Sequence, residues 1–228
     1  MSSEQVLTEV AAVSPAGAPG ARGRRLTTIA VLILLQLPWP GWLFPGESPS
    51  AQALRELLFW LMAVLLLAYV LFVERRPLRS IGLGKPDWRS LAWGVAGAVV
   101  TVAGMAFIYL VIFPSLGQPA EESQLAEVKA LPLWLRLGLV TRAAVFEELY
   151  YRGFAIERIA ELSGRRWLAA LVSLAVFTFA HLGYWGWTHL IVAGFGGLVL
   201  TTLYLLRRDL ASTMLAHWLT DGMGFLLG

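Results

Sequence analysis

Apolar residues run in long blocks along this chain, and the polar ones gather between the blocks. A helix that crosses a bilayer needs roughly 20 apolar residues. Seven blocks approach that length: 26–44, 56–73, 90–113, 132–160, 167–182, 189–206 and 210–227. The pattern predicts an all-α, polytopic membrane protein of about seven transmembrane helices, with any active site inside the helix bundle. Residues 1–21 are rich in Ala, Ser, Pro and Gly without sustained periodicity and read as a disordered tail. Residues 22–79 then carry the first two helices and residues 80–228 the rest. A cleaved signal peptide is the rival reading of the first block, because "SAQA" (50–53) resembles a small-residue cleavage site. The long tail and the intervening "PWPGWLFPGESP" (38–49) count against it.

Composition agrees with the pattern. Hydrophobic residues make up 57%, charged residues 14%, and the mean hydropathy is +0.67. A soluble domain is nearer half apolar and a quarter charged. The net charge of +3 and pI near 9.5 suggest nucleic acid at first sight. The positions of the charges argue otherwise. Arg22, Arg24 and Arg25 precede the first block, and Arg75, Arg76, Arg79, Lys85 and Arg89 separate the second from the third. Arg165 and Arg166 follow the fourth, and Arg207 and Arg208 follow the sixth. The alternate loops hold Arg55 and Lys129 beside Glu47, Glu121, Glu122 and Glu127. Basic clusters mark cytoplasmic loops, so the chain is expected in a bacterial cell membrane with the N-terminus in the cytoplasm and the C-terminus outside. The expected surroundings are the lipid bilayer, with no nucleic acid. The absence of cysteine rules out disulfides, thiolate metal ligands and a cysteine nucleophile.

The fourth block holds charges that are costly in a membrane. Glu148 and Arg152 are four apart and face each other on an α-helix. Glu147 is rotated from Glu148 by about 100°. It meets Ala143 and Tyr151 at helical spacing, so no helical partner is expected for it. Glu157, Arg158 and Glu161 alternate in sign and read as a wet helix end. Three histidines complete the polar set. His181 ends the fifth block, His189 opens the sixth, and His217 lies in the seventh with Asp221 four residues on. A lone membrane histidine usually makes one helix-to-helix hydrogen bond, which suits His189. Glu147, His181, His217 and Asp221 together suggest a shared polar site, a proton or ion pathway, or a cluster that only organises helices.

Three motifs, in order and on three separate blocks, give the pattern a name. "EELYYR" (147–152) fits Glu-Glu-x-x-x-Arg, "FTFAH" (177–181) fits Phe-x-x-x-His, and "HWLTD" (217–221) fits His-x-x-x-Asn/Asp. Together they resemble the CPBP family of intramembrane proteases: the type II CAAX prenyl proteases and their bacteriocin-processing or immunity-type (Abi) relatives. "SIGLGKP" (80–86) looks like the stretch that often precedes the family's core.

The resemblance implies an intramembrane endopeptidase acting on a peptide or protein substrate in the membrane, CAAX-like or otherwise membrane-associated. It makes Glu147 the base for water and His181 the residue that orients that water. Glu148 and Arg152 would fix the fourth helix and tune Glu147, and His217 with residue 221 would stabilise the oxyanion. A catalytically silent scaffold or immunity protein, or a proton pathway, are the alternatives. Two positions depart from the pattern: Tyr151, where Phe is common, and Asp221, where the best-studied members have Asn. An amide always donates a hydrogen bond and an ionised carboxylate cannot. Asp221 therefore acts either as a protonated donor, which the family pattern favours, or by supporting a charged His217. The favoured mechanism needs no cofactor; the competing one places zinc on Glu147, His181 and His217 with water in the open position. The spacing lacks the helical HExxH form and does not decide between them. At about 1.5 Å per residue, His181 lies roughly 21 Å from the basic end of its helix and His217 roughly 12 Å. Straight, upright helices would hold the two apart.

Overall fold

The computed structural model describes residues 21–46, 48–118 and 123–226. The expected tail falls outside these residues except at its last position, and so does the end of the seventh block. The chain divides into two compact units, residues 1–34 and 35–228. The described part of the first is helix α1 (Ala21–Gln36), whose last two residues belong to the second.

A helix stands at each of the seven expected places, and the described residues hold no strand. Helix α2 (Pro49–Val73) starts at Ser48, whose hydroxyl accepts from the Ala51 N–H, with proline in the first turn. Both features favour initiation there. Helix α3 (Trp88–Ser115) starts from a capping box. The Ser90 N–H donates to Asp87 Oδ1 at 2.8 Å, and Ser90 Oγ accepts from the Asp87 N–H at 3.1 Å. Helix α4 is composite: α-helical over Leu133–Arg142, π-helical over Ala143–Ala155, and α-helical again over Ile156–Ser163. Helices α5 (Arg166–Ala180), α6 (His189–Arg207) and α7 (Leu210–Leu226) complete the set.

Four helical stretches are long and apolar enough to cross a membrane by themselves: α2, α3, α6 and Arg166–Trp185, which is α5 with the short turn beyond it. Helix α4 is longer but carries too many charges to register as apolar. Helix α7, with 17 described residues, spans about 25 Å, somewhat short of the ~30 Å hydrocarbon core.

The "SIGLG" segment locks this bundle together. Leu78–Ile81 forms a single 3₁₀ turn ended by Gly82 at φ 78°. The Gly82 carbonyl accepts from the Leu210 N–H at 3.0 Å, tying the segment to the start of α7. A Cβ on Gly82 would lie 2.8 Å from the Tyr204 ring, and one on Gly153 would lie 2.9 Å from the Ile81 carbonyl oxygen. Glycine at both positions permits the close approach.

The expected wet end of α4 is instead largely buried. Arg158 is 1% exposed and grips both oxygens of Glu74 on α2's trailing turn. Glu157 accepts from Tyr204, Arg166 and Arg208 at 3.0, 2.9 and 2.5 Å. Only Glu161, paired with Arg76, keeps a half-exposed side chain. Charges this dense are tolerable in a helix end because each has a partner from a neighbouring element.

Candidate active site

The π-helical stretch of α4 sets the site. In π winding each N–H bonds the carbonyl five residues back, and residues five apart are drawn toward one face. Glu147 Oε1 accepts from Arg142 Nη1 at 3.1 Å. The expected isolation of Glu147 is thereby corrected. α-Helical counting searches three and four residues away, whereas the partner lies five away. Arg142 is itself held by α2: its Nε and Nη2 donate to the two oxygens of Glu56 at 2.9 and 3.2 Å.

Glu148 leaves the same helix in another direction and is 0% exposed. Its Oε1 accepts from Arg152 Nη1 at 2.8 Å, as the four-residue spacing predicts. The same oxygen lies 2.9 Å from His217 Nδ1 on α7. Arg152 also donates to the Gly197 carbonyl of α6 at 3.1 Å and stacks over the Phe177 ring of α5 at 4.1 Å. One buried pair therefore joins four helices. His217 Nε2 is 3.4 Å from Asp221 Oδ2, so both ring nitrogens face carboxylates.

His181 caps the end of α5. Its Nδ1 is 2.8 Å from the Phe177 carbonyl oxygen. A carbonyl only accepts, so Nδ1 carries the proton and, in the neutral ring, Nε2 is left as an acceptor. His189 stacks beside it with 6.0 Å between ring centroids, and Trp185 stacks on His189 at 4.7 Å.

A cavity of about 280 Å³ collects these groups. Arg142, Glu147, His181, His189, His217 and Asp221 all line it. The depth mismatch expected between His181 and His217 does not keep them apart. Glu148 and Arg152 are not among the lining residues; they stand behind His217. The remaining wall is mainly apolar, including Met105, Leu139 and Val192.

The zinc reading of Glu147, His181 and His217 fits poorly. Among the described residues no group of three His, Asp or Glu side chains is placed to hold a metal ion. Both nitrogens of His217 already face carboxylates, and Glu147 is engaged with Arg142.

Residues 129–223 match the family model described as type II CAAX prenyl endopeptidase Rce1-like. Over that segment, which is less than half of the chain, the sequence is similar to the type II CAAX endopeptidases. The match agrees with the resemblance carried by the three motifs, and the family is one of proteases. With its apolar helices, the chain is an integral membrane protein. No curated protein and no solved structure matches it. The matched segment contains α5, α6 and Glu147, Glu148, Arg152, His181, His217 and Asp221, and begins well after "SIGLGKP". It does not contain Glu56, the residue that sequence reasoning missed. The available signal was a lone carboxylate, 7% exposed in the fold, at the start of an apolar block.

Proposed function

We propose that the chain is an intramembrane endopeptidase that hydrolyses a peptide bond of a membrane-associated, CAAX-like substrate by carboxylate-activated water. The observation that carries this reading is the single cavity shared by Glu147, His181, His217 and Asp221. Peptide hydrolysis needs a base, a way of holding water and a donor for the oxyanion. Glu147 supplies the base: Arg142 engages Oε1, and the carboxylate borders the cavity. His181 orients the water through its acceptor Nε2. As the water oxygen bonds to the carbonyl carbon, its proton passes to Glu147, which then delivers it to the leaving amine. His217 donates to the oxyanion from Nε2, whose proton turns to it from the longer 3.4 Å contact with Asp221. Glu148 and Arg152 hold the ring from behind, and Asp221 supports its charged form. That role for Asp221 is preferred over direct donation because its oxygen faces His217 Nε2.

The apolar wall suits the side chains of a membrane peptide. The basic loops support an orientation with the N-terminus inside a bacterial cell and the C-terminus outside. The test compares the peptides in membranes carrying the wild type with those carrying Glu147→Gln. The expected result is loss of a set of cleaved fragments from a protein that still melts cooperatively in detergent. Equal fragment sets at equal rates would remove Glu147 from the role of base.

A further inference from the structure

We infer that Glu56 on α2 is a positioning residue for Glu147, acting through Arg142. The inference rests on the reading of Glu147 as the base. Glu56 lies outside the matched segment, on a helix that contributes no motif residue. Its side chain is nevertheless buried and engages Arg142 with both oxygens.

A two-pronged carboxylate–guanidinium contact fixes the plane of the arginine as well as its position. Phe59, three residues after Glu56, covers the guanidinium at 4.4 Å from its ring centroid. Helix α2 thus dictates where the remaining nitrogen, Nη1, points. It points at Glu147 Oε1, 3.1 Å away.

The arrangement has a consequence for the base. Arg142 gives Glu56 two nitrogens and Glu147 one. Glu147 is therefore anchored by a single oxygen and keeps the other for water. Without the Glu56 carboxylate, the guanidinium would be free to turn its fork to Glu147, and both oxygens would be drawn from the cavity. The carboxylate on α2 also shares a positive charge that Glu147 would otherwise balance alone.

The experiment is a two-by-two cycle of Glu56→Gln and Glu147→Gln in the full chain, purified in detergent. Three quantities are read: the infrared carboxylate band that Glu147→Gln removes, the melting temperature, and the rate at which wild-type membrane fragments appear. In Glu56→Gln the Glu147 band should shift, as one-oxygen contact becomes two-oxygen contact. The two melting effects should be non-additive, and fragment production should fall at least about tenfold. Glu56→Asp keeps the charge but draws the carboxylate back by one methylene, so it should move the band and lower the rate, each by less than Glu56→Gln does. An unmoved Glu147 band with additive melting effects would make Glu56 a simple brace and overturn the inference. If Glu56→Gln does not fold, Glu56→Asp carries the test: its carboxylate sits one methylene further back, and an unmoved band there overturns the inference equally. Cleavage that persists in Glu147→Gln while the band still responds to position 56 would instead sink the base assignment alone.

Discussion

His217 lies between Glu148 and Asp221, and a ring so placed can donate to both only when each nitrogen carries a proton. Asparagine at position 221 supports that state less well than a carboxylate. Asp221→Asn should therefore slow cleavage at neutral pH by about tenfold, equivalent to about 1.4 kcal/mol, with little change in melting. A rate kept or raised would return residue 221 to direct donation, the role that the resemblance in sequence implies for it. The residues of this site were unevenly legible. Glu148 and Arg152 could be paired from sequence because their spacing of four holds on the helix that forms. Arg142 could not be paired with Glu147 by the same arithmetic, since that pair depends on π winding. Nor could Glu56, because contacts between distant helices leave no periodic trace. The motif histidines were legible by type and order, and a shared polar site was one reading of them; counting depth along straight, upright helices spoke against their meeting, which the common cavity shows.

Helices were the most legible level, because long apolar blocks leave the backbone little alternative in a bilayer. What hydropathy hides is α4, whose charges are cancelled inside the bundle by Glu56, Glu74, His217 and Arg208. Start signals are local and testable at α3. Hydrogen bonds from the Ser90 backbone, and then from its hydroxyl, hold the Asp87 carboxyl below its ordinary range. Its folded value thus lies beneath an unfolded value near ~3.9. Its contribution is present in full above the unfolded value and is lost as pH falls through the folded one. Asp87→Ala should melt below the wild type at neutral pH, and the gap should close as the pH is taken below about 4. A gap that stays constant from pH 7 to pH 3, read by thermal melts in detergent, would show that the cap acts by something other than its charge.

At the scale of the whole bundle, ion pairs carry information that the positive-inside rule alone lacks. Arg76 bonds Glu161, Arg158 bonds Glu74, and Arg166 and Arg208 share Glu157. The turns after α2, α4 and α6 therefore meet at one end of the bundle, and their basic residues belong to one face. Loops rich in Lys and Arg stay in the cytoplasm, so the turn before α6 should lie outside. The lack of cysteine makes this direct to measure. Cysteine placed singly at Lys85 or at the exposed Trp187 is the chain's one thiol. A membrane-impermeant maleimide should label Trp187→Cys in intact bacteria and Lys85→Cys only after the membrane is opened. Labelling of both in intact cells, or the reverse order, would refute the orientation. The outcome also bears on substrate. The cavity draws on the end of α5, the start of α6 and the end of α7, all away from the basic turns. Whichever face labels at position 187 is therefore the face from which a peptide has the shorter route to Glu147.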